Sequence, residues 1–183
     1  QCVAYSGGKY LLAHPVVNFL PAEPSEHTPI LKQLYDECQN NDEWPGTNYD
    51  GTSVRALFKV LKQRGFITEY RWAYDIGALL YHLLEVGPVV MGTDWYTGMW
   101  RADEKGYIYP RGSVVGGHAY LLVCANILRK NPDGTTGAVR ILNSWGTGWA
   151  QSGRAWLRME DLQPLLNNWG EAAIGSEIKI PQT

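Results

Sequence analysis

Two stretches of this 183-residue chain bring together side chains that could do chemistry. In Val139–Trp149, β-branched and aliphatic residues alternate and then deliver Asn143, Ser144 and Trp145 into Gly146 and Gly148. The pattern reads as a short buried strand ending in a sharp turn beside an indole. An asparagine at a strand mouth with a tryptophan over it suits an amide held in a dry place to orient another side chain. The plainer alternative is a strand end with a core tryptophan. The second stretch, Gly116-Gly117-His118-Ala119, precedes the strand-like run Tyr120–Val123. A histidine at the start of one strand and an asparagine at the mouth of another make two thirds of a constellation for nucleophilic catalysis.

Read together, GGHAYLLV (116–123) and LNSWGTGWAQSGRAWL (142–157) resemble the histidine and asparagine motifs of papain-like cysteine peptidases. The resemblance covers nearly the whole chain. It implies a cysteine at a helix N-terminus far upstream, and Cys2 in Gln1-Cys2-Val3 matches that place. Asp50–Leu57 is similar to the family's substrate-backbone glycine helix, and Gly87–Met91 to its barrel entry strand.

On this resemblance Cys2 is the nucleophile, His118 the acid and base, Asn143 the group that orients the imidazole, and Trp145 the shield over that bond. A thiol of pKa ~8.5 falls by several units at a helix N-terminus beside an imidazolium. The thiolate attacks a peptide carbonyl, giving a thioester; His118 protonates the leaving amine and then activates water. Gly51 pairs its backbone with an extended substrate, because a side chain there would block the approach; a plain helix-entry glycine is the other reading. By alignment with the family, Gly92 and Ala119 line the pocket for the second residue before the scissile bond, and their small size leaves it roomy. The substrate is a peptide or protein, and no cofactor is implied. The family's oxyanion-hole glutamine lies several residues before the cysteine, and Gln1 is too close to take that role; one lost donor typically costs ~10²–10³ in rate. The His118-to-Asn143 separation is longer than in papain, with Asn131-Pro132-Asp133-Gly134 absorbing the excess. Ala150 and Arg154-Ala155 also depart from the usual glycine and Gly-Tyr.

Stepping outward, the elements that must position these groups read as helices first and strands second. Cys2–Ala13 carries a helical pattern interrupted by Gly7-Gly8, and Pro15–Pro29 reads as loop. Thr28-Pro29 caps a helix with Leu31, Leu34, Tyr35 and Cys38 on one stripe. Thr52 or Ser53 opens a helix stopped by Gly65, and another runs over Asp75–Val86. Strands are expected at Pro88–Met91, Tyr107–Tyr109, Ala119–Val123, Val139–Leu142, Ala155–Arg158 and Glu177–Ile180. The class is α+β. The resemblance makes it a papain-like two-lobe fold, a helical lobe packed against a β-barrel-like lobe. Residues 1–183 then form one domain, 1–87 mainly helical and 88–183 mainly strand.

Composition narrows the field. A formal net charge of −2 offers no basic field for nucleic acid. No apolar run approaches the ~20 residues of a membrane span. His14, His27 and His82 carry no partner signal, and no Cys/His spacing supports a metal site. Cys38 on its stripe and Cys124 after Leu121–Val123 should both be buried. Secreted members of the resembled family usually carry several disulfides, and three cysteines without such spacing favour a reducing compartment. That points to a bacterial or viral type, cytoplasmic or virion-associated rather than secreted. The opening at Gln1, without Met or an apolar leader, reads as a processed or partial piece. Two rivals to hydrolysis stand: acyl transfer to an amine by the same triad, and a papain-like domain serving as a structural or binding module of a larger assembly.

Overall fold

The computed structural model describes residues 1–13, 27–44 and 46–178. The chain order is α1 (Cys2–Leu12), α2 (His27–Gln39), α3 (Val54–Gln63), β1 (Ile67–Trp72), α4 (Ile76–Glu85), β2 (Val89–Tyr96), β3 (Val114–Lys130), β4 (Thr136–Leu142), β5 (Arg154–Arg158), α5 (Met159–Asn167) and β6 (Glu171–Ile178). His14 and most of the expected 15–29 loop lie outside the described residues.

The helix starts follow from capping chemistry. Ser53 Oγ accepts the Ala56 N–H at 3.0 Å and opens α3; Asp75 Oδ1 accepts the Ala78 N–H at 2.8 Å and opens α4. Each cap satisfies a donor that the helix cannot satisfy itself. Gly65, at φ +76, turns the chain out of α3.

The glycine pair that interrupts the first helical pattern has a packing cause. A Cβ at Gly7 would lie 2.6 Å from Leu57 Cδ1, and one at Gly8 would lie 2.5 Å from Leu31 Cδ2. Glycine costs a helix interior ~1 kcal/mol against alanine. Here it lets α2 and α3 close directly on the backbone of α1. The buried Tyr10 completes the attachment, its Oη accepting the Gly175 N–H of β6 at 3.1 Å.

The six strands form one antiparallel sheet in the order β1-β6-β2-β3-β4-β5. Alternation along its central strands divides the core. Val90, Ala119, Leu121 and Ala173 pack with α1, α2 and α3. Met91, Tyr120, Leu122 and Ala172 pack with residues of α4 and α5 on the opposite face.

Several expectations change. The sheet is open rather than barrel-like, because β1 and β5 are its edges and do not pair with each other. Tyr107–Tyr109 contributes only an isolated bridge, Tyr107 to Trp156. Cys124 is exposed: the register shifts between Leu122 and Cys124, which breaks the alternation that would have turned it inward. Cys38 is buried as its stripe implied.

Gly7→Val tests the close packing of α1. The added methyls must displace Leu57, so overpacking should remove roughly 1–3 kcal/mol of stability, measured by denaturant unfolding. Unchanged stability would mean that α1 and α3 do not approach this closely.

Candidate active site

The sulfur of Cys2 stands at the first turn of α1, where Gln1 contributes no side-chain cap. The unpaired first-turn N–H groups leave positive potential beside the thiol. Cys2 Sγ also accepts the Ala119 N–H at 3.3 Å, which ties the helix to β3 one residue beyond His118. Burial is the largest influence on the thiol and pushes its pKa up. The hydrogen bond and charge of His118 and the Ala119 N–H pull it down, and the net position is below the ordinary thiol value.

His118 is buried on β3, and its Nε2 lies 2.8 Å from Asn143 Oδ1. Asn143, just past the end of β4, is 1% exposed. Its Oδ1 also accepts the Ser144 N–H at 2.7 Å. A backbone N–H can only donate, so this oxygen is an acceptor and the amide cannot be flipped. His118 Nε2 must therefore carry the proton, leaving Nδ1 as the nitrogen available to the thiol. The Asn143 backbone is pinned as well: its N–H donates to Gly153 O at 2.9 Å, and Lys9 Nζ of α1 donates to its carbonyl. Burial, then the charge of Arg154, holds that lysine below its ordinary pKa.

Aromatic rings enclose the imidazole. Trp145 lies 4.9 Å from it, centroid to centroid, with the planes tilted by 37°. Trp95 of β2 lies 4.7 Å away, nearly edge-on at 67°, and is only 2% exposed against 36% for Trp145. Trp100 stacks on the outer face of this group, 4.9 Å and 16° from Trp145.

Cys2, Gly51, Gly92, His118 and Ala119 line one cleft of about 620 Å³; Asn143 and Trp145 stand behind the imidazole and do not line it. Gly51 has φ +119 and open space where a Cβ would be. Its N–H is already donated to Tyr35 Oη at 2.8 Å, and its carbonyl accepts Gln39 Nε2 at 3.3 Å. The expected backbone pairing with a substrate would have to displace or share these bonds. Gly92 is small for a packing reason, since a Cβ there would lie 2.9 Å from Val54 Cγ2.

Sequence reasoning missed Trp95, Lys9 and Glu171. Trp95 belongs to the alternating pattern of β2, which places it one row from His118. Lys9 gave no signal, because its partner is a backbone atom 134 residues away. Glu171, the first residue of β6, lines the cleft and accepts the Val54 N–H at 2.9 Å. Burial chiefly, with Glu43 adding, holds its pKa above the usual carboxylate value against the helix N–H groups and Arg55. His82 on α4 lies apart from the cleft lining, and burial pushes its pKa down to about 4. Among the described residues no group of three or more His, Cys, Asp or Glu is placed to hold a metal ion. No helix among them is long and apolar enough to cross a membrane.

No protein-family model and no curated protein matches this sequence. The fold does match a solved structure, the digestive procathepsin L 3 of Tenebrio molitor larval midgut. The TM-score is 0.58 at 16% identity, over 79% of this chain and 54% of that one. The match therefore spans about half of the procathepsin chain, and what it shows is the fold: helices around an antiparallel sheet, similar to the papain-like arrangement.

Proposed function

We propose that this domain is a papain-like cysteine peptidase that hydrolyses peptide bonds through Cys2, His118 and Asn143. One observation carries the reading: the shared Asn143 Oδ1, which takes the Ser144 N–H and the Nε2–H of a buried His118. That bond fixes the tautomer and the ring orientation, so Nδ1 faces the thiol at the N-terminus of α1. A proton shared between Nδ1 and the sulfur gives a thiolate and an imidazolium.

The thiolate attacks the substrate carbonyl carbon, and the Cys2 N–H at the helix start is one donor for the developing oxyanion. His118 gives its Nδ1 proton to the leaving amine as the carbon–nitrogen bond breaks, which leaves a thioester on Cys2. Water then enters. His118 takes a proton from it as its oxygen bonds to the carbonyl carbon, the carbon–sulfur bond breaks, and the acid product leaves while the imidazolium again shares its proton with the sulfur. Asn143 keeps the ring aligned through both transfers, and the Trp95–Trp145 wall keeps water from competing for its bond.

Incubation with an unstructured protein such as casein, followed by mass spectrometry of the fragments, tests the reading. The native chain should release peptides and Cys2→Ala should release none. Equal cleavage by both, or none by the native chain, would contradict it.

Asn143→Ala separates the orienting role from a structural one. Turnover should fall, by no more than the roughly 10²–10⁴ that acid–base assistance supplies, while alkylation of Cys2 survives in part. If turnover and alkylation vanish together with loss of folding, Asn143 holds the strand end rather than the imidazole.

A further inference from the structure

Outside the cleft lining, the sheet gathers a row of cations. Cys124, Arg140 and Trp156 are direct partners across β3, β4 and β5, so their side chains share one face. Arg154, two residues before Trp156 on β5, belongs to the same face. Arg129 joins the row from the end of β3. Its guanidinium lies 4.1 Å from the centre of the Trp156 ring, that of Arg140 lies 4.7 Å from it, and Arg129 Nε donates to Tyr107 Oη at 2.6 Å. Burial first, then the charges of Arg129 and Arg154, hold the Arg140 guanidinium below the ordinary arginine pKa. Arg154 acts in the same sense on Lys9 of α1, whose ammonium holds the Asn143 carbonyl. The cations thus run from the Asn143 loop to the end of β3. Among the described residues Arg129, Arg140 and Arg154 form no ion pair, because the acids at that end of the sheet, Asp133, Glu160 and Asp161, are all taken by Arg158.

Guanidiniums gathered around one ring without a carboxylate repel one another and are complementary to an anion from outside the chain. We propose that this face of β3–β5 is a docking surface for an acidic segment of a partner polypeptide, whose carboxylates take the forks of Arg129, Arg140 and Arg154. Two other polyanions fit less well. Arg129 and Arg140 are half-buried against Trp156, so a carboxylate on a side chain reaches them where the headgroups of a flat anionic membrane do not. Nucleic acid is disfavoured on two counts. The net charge of −2 repels a long polyanion beyond the patch. Trp156 carries guanidiniums over its ring and Tyr107 is buried, so the row offers no bare ring for a base to stack on. The surface stands apart from the peptidase reading, since none of these arginines lines the cleft.

Cys124 reports occupancy, because it is exposed and stands directly across from Arg140. Its labelling by iodoacetamide is followed in the full chain carrying Cys2→Ala, so that no probe is cleaved. Hexaglutamate is the probe and hexaglutamine its uncharged counterpart. The rate with probe is divided by the rate without it in the same protein, so that the reactivity of the thiol itself cancels. Hexaglutamate should slow the labelling in a saturable way, added salt should weaken the effect, and hexaglutamine should have none. Arg129→Gln and Arg140→Gln should each raise the concentration for half-protection by about tenfold, the order of one charge-assisted hydrogen bond. No protection by hexaglutamate, or equal protection by hexaglutamine, overturns the inference even if the variants fail to fold. So does full protection in the folded variants. Stronger protection by oligothymidylate, or by phosphatidylserine vesicles, at the same concentration of negative charge overturns the choice of an acidic polypeptide.

Discussion

One oxygen atom, Oδ1 of Asn143, sets the terms for the site. It accepts from Ser144 on its own loop and from His118 on the neighbouring strand, and only that double use decides which imidazole nitrogen holds the proton. Its energy as a single hydrogen bond is modest, about 1 kcal/mol net. Its consequence is larger, because it fixes the direction in which His118 can exchange a proton. Everything around it serves to keep that oxygen still and dry. Gly153 and Lys9 hold the backbone from two sides, and Trp95 and Trp145 cover the ring.

The second constraint is distance along the chain. Cys2 and Ala119 are 117 residues apart, and Tyr10 and Gly175 are 165 apart, yet each pair is hydrogen-bonded. α1 is the element that spans the gap. Its N-terminus presents the sulfur to β3, its glycines admit α2 and α3, its Lys9 reaches the Asn143 loop, and its Tyr10 reaches β6. A helix with ordinary side chains at positions 7 and 8 would hold α2 and α3 off its backbone, since the added carbons would meet Leu57 and Leu31.

What could be read from the sequence was what is local. The His118 and Asn143 stretches carry their strand pattern, their turn and their chemistry within a dozen residues each, and the cleft does gather Cys2, His118 and Ala119. The α+β class follows from the same periodicities. What stayed hidden depends on partners remote in sequence. Cys124 turns outward because of a register shift between two strands, and alternation within one strand cannot register it. The closing of a sheet depends on whether its edges meet, and β1 and β5 do not. Gly51 reads as a position whose backbone pairs with a substrate, but the phenol that occupies its N–H comes from α2, 16 residues away. Glu171 was missed by sequence reasoning, and becomes part of the cleft lining only when β6 pairs with β2.

The central claim is that His118 and the start of α1 hold the Cys2 thiol below its ordinary pKa despite burial, and the three cysteines provide an internal comparison. Accessibility alone favours Cys124, which is exposed, over the half-buried Cys2, and leaves Cys38 last, its thiol pushed up to about 12 by burial. Charge favours Cys2, because only the thiolate reacts and a lowered pKa keeps it populated as the pH falls. The measurement is the rate of iodoacetamide labelling at each cysteine as a function of pH, read by peptide mapping, for the native chain and for His118→Ala. The account predicts that Cys2 labels first at about pH 6, and that His118→Ala removes most of its lead. Labelling of Cys124 ahead of Cys2 at that pH, or a Cys2 rate that rises only through the ordinary thiol range, would contradict it.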